Sequence, residues 1–430
     1  MGSAVRRLLL VSHVFPPLVG GGAPRMGQFA RLLPDFGWDV TVITAKHTSS
    51  GVDAVAREAL AGKATILEAW SPASAVVKRN QPARKRGIKG AIRKVVRTAA
   101  MSLVFPDREI FWALAAIRIG QRALRETQHD VVLASHGPAS NLVVGLSLAK
   151  QFGLPLVADF RDLWSTLPMP NFTTPVHRAA ARQLERSVVR AAARVVAVAP
   201  KMAQELARTH GIDESRAVSI TNGFDPADLV LVHDARPTND RPFRLVYTGS
   251  VNTYHDMEPF WLAIRRLADE RKITPETFRI EFVGNLAMDF VEKYQLEALV
   301  ETSPFVPHDQ VFNAFARADA LLVVETPGYY ASYSYAAKLF DYLLTGKPVV
   351  ALVEAAGNSW TLLTAAGVGH FAEPDDIGEI CRAIESVLPL KGATPRNVDG
   401  GAVPYRAFNR RHLVERLATM LDDVADGVGP

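Results

Sequence analysis

Short unbroken runs of branched aliphatic residues recur along this chain, each followed by a stretch with helical periodicity. LeuLeuLeuValSer (8–12), AspValThrValIleThr (39–44), AspValValLeuAlaSer (130–135), LeuProLeuValAlaAsp (154–159) and ArgValValAlaValAla (194–199) are such runs, with helical patterns near 24–34, 139–151 and 175–192. Strands apolar on both faces belong in parallel sheets covered by helices on either side, because a half-exposed strand would alternate apolar and polar residues. The first half therefore predicts a Rossmann-type domain. Residues 46–107 interrupt its rhythm as a long insertion.

The pattern breaks after AsnGlyPheAsp (222–225), where residues 233–242 are polar and carry two prolines. It then restarts. ArgLeuValTyrThrGly (244–249), a helix over 257–268, ArgIleGluPheValGly (279–284), a helix near 288–299, a strand ending PheValPro (305–307), a helix over 308–317, AlaLeuLeuValVal (320–324) and a helix over 376–388 predict a second Rossmann-type domain. An amphipathic helix at about 407–424 follows a Gly/Pro-rich tether and is expected to pack back on the first domain. The fold class is α/β, with domains expected at 1–232, 243–395 and 404–430. Two facing doubly wound domains would form a cleft at the carboxyl ends of both sheets, where such sheets bind ligands.

At 430 residues the chain exceeds one core. The single cysteine, Cys381, sits in a helical pattern and reads as a small packing residue, which fits a reducing cytoplasm. The apolar run after Arg6 and Arg7 is too short for a signal peptide and ends in two prolines, and no run of about 18 uncharged apolar residues occurs. A cytoplasmic protein is expected. The net charge of +5 is concentrated: nine Lys or Arg and no acid lie between Lys78 and Arg97. There Ile88, Ile92, Val95 and Ala99 recur at helical spacing beside Lys89, Arg93 and Arg97. Such a segment suits anionic lipid headgroups or a charged acceptor, with a solvated loop as the plain alternative. No aromatics interleave with the charges, so nucleic acid is disfavoured.

Four loops carry candidate chemistry. ProProLeuValGlyGlyGlyAla (16–23) lets backbone approach a phosphate at a helix amino terminus, but it is not GxGxxG and no ribose acid ends the second strand, which disfavours a dinucleotide. SerHisGlyProAla (135–139) places His136 just past a strand's carboxyl end. AspPheArgAspLeuTrp (159–164) offers Asp159 and Asp162 for orienting hydroxyls or positioning a base, or alternatively for a cap and an ion pair with Arg161. ThrGlySerValAsn (248–252), with Gly249 and Ser250, is a second possible phosphate loop. In YAAKLFDYLLTGKPVVAL (335–352), Lys338 and Asp341 lie three apart on a helix whose core side is Leu339, Phe340, Leu343 and Leu344, closed by Gly346. Lys338 suits a diphosphate and Asp341 a ribose, and the plain alternative is one solvated ion pair. No paired metal-ligand spacing, GxSxG or Walker sequence occurs.

Together these motifs resemble the family 4 glycosyltransferases of the GT-B fold, bacterial glycan and glycoconjugate branch. PheProProLeuValGlyGlyGly looks like that family's donor loop, ThrAsnGlyPheAsp (221–225) like the end of its first domain, and TyrThrGlySer (247–250) like the start of its second. PheProAsp (105–107), Trp112 and the His136 and Asp159 loops look like the bacterial branch. The resemblance implies retention, a nucleotide-sugar donor, and no obligatory metal or cofactor. It implies donor binding by Gly21, Gly22, Gly249, Ser250, His255, Val306, Tyr333, Lys338 and Asp341, and catalysis or substrate contact by His136, Asp159 and Asp162. The pattern departs at three places. The family's paired acids fall at Tyr333 and Asp341, so the first is absent, and its diphosphate-binding arginine and lysine fall at Ser250 and His255.

The expected function is a retaining hexosyltransferase, cytoplasmic with possible peripheral contact at the inner membrane face through 78–97, using a glycan, lipid-linked or small-molecule acceptor. A GT-B epimerase, a non-glycosidic coupling enzyme and a catalytically silent binding protein are the alternatives.

Overall fold

The computed structural model describes residues 5–18, 22–46, 57–71, 104–166, 174–225, 227–228, 241–249, 251, 257–284, 286, 289–304, 306, 308–395 and 405–428. The chain divides into two compact units, residues 1–221 with 414–430, and residues 222–413.

The first unit is built on a parallel sheet in the order β3-β2-β1-β4-β5-β6-β7. Its strands are β1 Arg6–Val11, β2 Trp38–Ala45, β3 Ala64–Ala69, β4 Val131–Ser135, β5 Leu156–Phe160, β6 Arg194–Ala197 and β7 Ala217–Ser219. Every residue of β4, β5 and β6 is buried, as a sheet covered on both faces demands. From Val414 onward the last helix, Arg410–Ala425, belongs to this unit. Arg6 donates to Asp422 at 2.6 Å and Asp426 at 2.7 Å, and Trp38 Nε1 donates to Asp422 at 3.2 Å.

One expectation changes here. Residues 46–107 are not wholly an insertion, because β3 lies within them and extends the sheet beside β2. As an edge strand with Thr65, Ile66 and Glu68 exposed, it carries no continuous apolar run to announce it. Residues 78–97 lie outside the described residues.

The second unit repeats the plan, all parallel, in the order β10-β9-β8-β11-β12-β13. The strands are β8 Phe243–Thr248, β9 Phe278–Val283, β10 Val300–Ser303, β11 Ala320–Val324, β12 Val349–Leu352 and β13 Gly369–Ala372. Strand alternation divides its core. Leu245, Tyr247, Ile280, Phe282 and Leu322 pack against helices Glu258–Asp269 and Ile377–Val387 on one face. Val246, Leu321, Val323, Val349 and Ala351 pack against Phe312, Leu339, Leu343 and Leu363 on the other. Lys347 anchors this second face by donating to Ala316 O at 3.0 Å and Ala318 O at 2.5 Å, carbonyls at the end of helix His308–Arg317. Burial pulls its pKa down to about 8.

Two element boundaries differ from expectation. The strand expected to end at 305–307 stops at Ser303. The helix expected near 288–299 is a short helix, Asp289–Lys293, and a separate turn, Glu297–Leu299, parted by Gln295 at φ +54°. That left-handed conformation cannot continue a helix. Among the described residues, no helix is long and apolar enough to cross a membrane.

In both sheets the chain builds outward one way and then returns to the other side of the first strand, so the strand order reverses between β1 and β4 and between β8 and β11. The carboxyl ends at such reversals are where doubly wound sheets receive ligands.

Candidate functional site

At the reversal in the second unit, β8 is followed by Gly249 and β9 by Gly284, at φ +114° and +133°. A Cβ on Gly284 would overlap the carbonyl of Gly249, so the two turns touch only because Gly284 lacks a side chain. Gly249 N–H donates to Val283 O at 2.9 Å. The neighbouring Tyr247 is completely buried, and burial pushes its phenol up to about 12, which keeps the ring neutral.

Over that ring stands Lys338, the first residue of helix Lys338–Thr345, its Nζ 3.5 Å from the ring centroid. A cation on the face of a tyrosine gains about 0.5–2 kcal/mol, more as water is excluded. The same Nζ would lie 3.4 Å from a Cβ on Gly249, so the ammonium borders the glycine turn. Burial pulls its pKa down to about 7, against the opposing charge of Glu325. The helix is clamped in place by Tyr342, whose hydroxyl accepts from Thr248 N–H at 3.3 Å and donates to Leu322 O at 3.1 Å. Asp341 lies half-buried in the first turn of the helix, and Gly346 closes it in the left-handed region at φ +64°.

Glu325 was not singled out in the sequence, yet it is the group that organises this corner. It follows β11 directly, at the carboxyl edge of the reversal. Its Oε1 accepts from Ala336 N–H at 3.1 Å and from Ser359 Oγ at 2.5 Å, tying the turn before Lys338 to helix Asn358–Ala366. Its Oε2 is buried with no hydrogen-bond partner among the described residues. Burial pushes its pKa up, opposed by those two bonds and by Lys338. Asn358 adds to the brace by donating to Ser332 O at 3.0 Å and Ser334 O at 3.1 Å. The signal that could have revealed Glu325 was an acid placed immediately after a wholly apolar strand. Tyr333 and Val306 are half-buried in the same unit, whereas Ser250 and His255 lie outside the described residues.

In the first unit, His136 follows β4 at the matching reversal. Its N–H donates to Asp159 O at 2.6 Å, and its ring lies between Phe160 and Trp164, each centroid 5.7 Å away. Burial lowers its pKa, so the imidazole is neutral at pH 7, and its Nδ1 is buried without a partner among the described residues. Asp159 is fully buried and both oxygens are engaged: Oδ1 by Arg25 at 2.8 and 3.2 Å, Oδ2 by Ser135 at 2.7 Å. Arg25 reaches on to Ile220 O at 2.8 Å and Thr221 O at 3.0 Å. Asp159 thus holds an arginine that binds the end of the sheet together, while Asp162 is exposed and acts on His136 through its charge.

Arg161, read in the sequence only as a possible ion-pair partner, fills the space at the first glycine loop. Its Nε donates to His136 O at 2.8 Å and its Nη2 to Gly137 O, and a Cβ on Gly22 would land on the guanidinium. Gly22 therefore admits Arg161, and Gly21 lies outside the described residues. Asp107 fixes the same neighbourhood by accepting from Ser140 N–H at 2.9 Å and Ser140 Oγ at 2.5 Å. Trp112 is buried edge-on to His13, with centroids 5.0 Å apart. Among the described residues no three His, Cys, Asp or Glu side chains are grouped to hold a metal ion.

Two parallel doubly wound sheets, each with its polar groups at the carboxyl edge of a reversal, define the GT-B class of fold. Known structures agree. The chain is similar to sucrose-phosphate synthase from Thermosynechococcus elongatus at 14% identity and TM-score 0.68, covering 98% of this chain and 100% of that one. It is similar to a glycosyltransferase from Rickettsia africae at 12% identity and TM-score 0.67, covering 97% and 98%. A UDP-N-acetylglucosamine 2-epimerase aligns at 12% identity and TM-score 0.54, covering 97% and 95%. These likenesses establish the fold. No curated protein matches the sequence. The family model described as Glycosyltransferase Family 4 matches residues 19–228, most of the first unit.

Proposed function

We propose that the protein is a retaining, metal-independent hexosyltransferase that moves a sugar from a nucleoside-diphosphate donor to a glycan, lipid-linked or small-molecule acceptor. The observation that carries this reading is the Lys338 ammonium, set 3.5 Å over the Tyr247 ring and bordering Gly249. Negative charge grows on the diphosphate as the bond to the sugar breaks, and a fixed cation in a site of low polarity stabilises that charge most. Gly249 allows backbone approach, Asp341 is the acceptor for ribose hydroxyls, and His136 in the other unit is assigned to contact with the sugar or acceptor. The similar UDP-N-acetylglucosamine 2-epimerase is named for a nucleotide sugar, the class of ligand this site suits.

Calorimetry and nucleotide-release assays over a nucleotide-sugar panel test the reading. Binding abolished by Lys338→Met supports it, and no binding to any member by the native protein ends it. An epimerase is the second reading, favoured by Tyr333 standing where the family carries an acid. Isomerised free sugar made without an acceptor would select it. We further propose a cytoplasmic placement with peripheral membrane contact through residues 78–97. Liposome co-sedimentation unchanged by neutralising Lys89, Arg93 and Arg97 would remove that part alone.

A further inference from the structure

Away from both reversals, helix Pro175–Ala191 carries a row of arginines that the fold does not use. Arg178, Arg182 and Arg186 follow one another at i, i+4 spacing, about 6 Å apart along the helix axis. All three are exposed, and none makes a hydrogen bond or ion pair among the described residues. Arginines close by are occupied. Arg190 donates to His210 O at 3.0 Å, and Arg216 donates to Arg190 O at 3.1 Å and to Ala192 O.

The single acid of this helix does not offset the row. Glu185 is 0% exposed and turned inward, accepting from Ser165 N–H at 2.6 Å and sharing a hydrogen bond with His210 Nε2 at 3.1 Å. Burial opposes its ionisation, yet those two partners hold its carboxyl below the ordinary value, so its charge is consumed beneath the helix. Like charges at i, i+4 repel and destabilise a helix. On this face the repulsion stands uncompensated. The same arginines line a groove of about 550 Å³, together with Gln183, Thr209 and His210.

We propose that this groove binds a phosphate-bearing ligand through Arg178, Arg182 and Arg186. A guanidinium presents a planar fork of donors that matches two phosphate oxygens at once, and three forks in line suit linked phosphates or a row of lipid phosphates. Gln183 adds a neutral donor at the wall, while the Thr209 hydroxyl there is engaged by Glu205 at 2.9 Å. The groove is separate from the Lys338 corner, which belongs to the other unit.

The test uses the full chain, with inorganic tripolyphosphate followed by calorimetry and phosphatidylglycerol–phosphatidylcholine vesicles followed by co-sedimentation. The groove variant carries Arg178→Gln, Arg182→Gln and Arg186→Gln. A charge-matched control carries Arg57→Gln, Arg118→Gln and Arg125→Gln, three exposed arginines elsewhere in the same unit. Thermal melts confirm that each variant folds. The groove variant is expected to bind at least tenfold more weakly, with the control within twofold of native. Loss toward tripolyphosphate alone supports the proposal with a soluble source of phosphate, and loss toward vesicles supports it with a lipid source. Unchanged binding of both probes overturns it, as does equal weakening by groove variant and control, since net charge alone would then be responsible.

Discussion

The two units place a cation at the same point of the same fold and treat it in opposite ways. Arg161, beside Gly22 at the first reversal, is committed to the carbonyls of His136 and Gly137 and occupies the room the glycine leaves. Lys338, beside Gly249 at the second, makes no hydrogen bond among the described residues and rests on an aromatic face. A cation bound to backbone carbonyls supports structure. One held by a ring keeps its N–H donors for something else.

The sharpest way to break this contrast is Lys338→Met. We expect nucleoside-diphosphate affinity to fall by about 100-fold, on the order of the 1.5–3 kcal/mol of a charge-assisted hydrogen bond, with the fold intact by thermal melting. Arg161→Met should do the reverse, lowering stability by about 1–3 kcal/mol in denaturant titration by leaving two carbonyls unpaired, with only a small change in nucleotide affinity. Equal effects of both variants on binding would erase the distinction.

A pH series sharpens the second half of the comparison. Lys338 has a folded pKa of about 7, below its ordinary value of 10.5, so between those values the unfolded chain binds the extra proton and this group makes stability rise with pH. Diphosphate binding favours the charged form and should run oppositely. Affinity is expected to weaken by up to about tenfold per unit above pH 7, with proton uptake visible as a buffer-dependent calorimetric enthalpy. Glu325→Gln removes the charge that supports protonation and should move this midpoint to lower pH, leaving affinity at pH 6 within about threefold. No movement would reduce Glu325 to a brace. The smallest effect is expected for Arg6→Gln, which releases exposed Asp426 and leaves half-buried Asp422 with Trp38 Nε1. A stability loss below about 1 kcal/mol is anticipated, vanishing at high salt.

Much of this fold was legible in the residues because a doubly covered parallel strand is a run of Val, Leu and Ile. Both sheets and the reversal loops follow from such runs. β3 was missed because an edge strand can afford Thr65 and Glu68, and the 288–299 helix was overextended because a left-handed Gln295 has no glycine to mark it. In the candidate site, His136 was singled out by its position just past a strand end, and Lys338 and Asp341 by their three-residue spacing on one helix. The employment of Asp159 was not, since two carboxylates three residues apart look alike until Arg25 and Ser135, remote in sequence, close on one of them.

By itself, then, the order of amino acids determined two doubly wound sheets, their loops and the residue types at each carboxyl edge, because periodicity and turn chemistry act over a few residues. Only the tertiary structure decided which charged groups are committed and which remain available. That depends on burial and on partners brought from tens or hundreds of residues away. It is why Arg161 and Lys338, two cations indistinguishable in formal charge, have come to do different work.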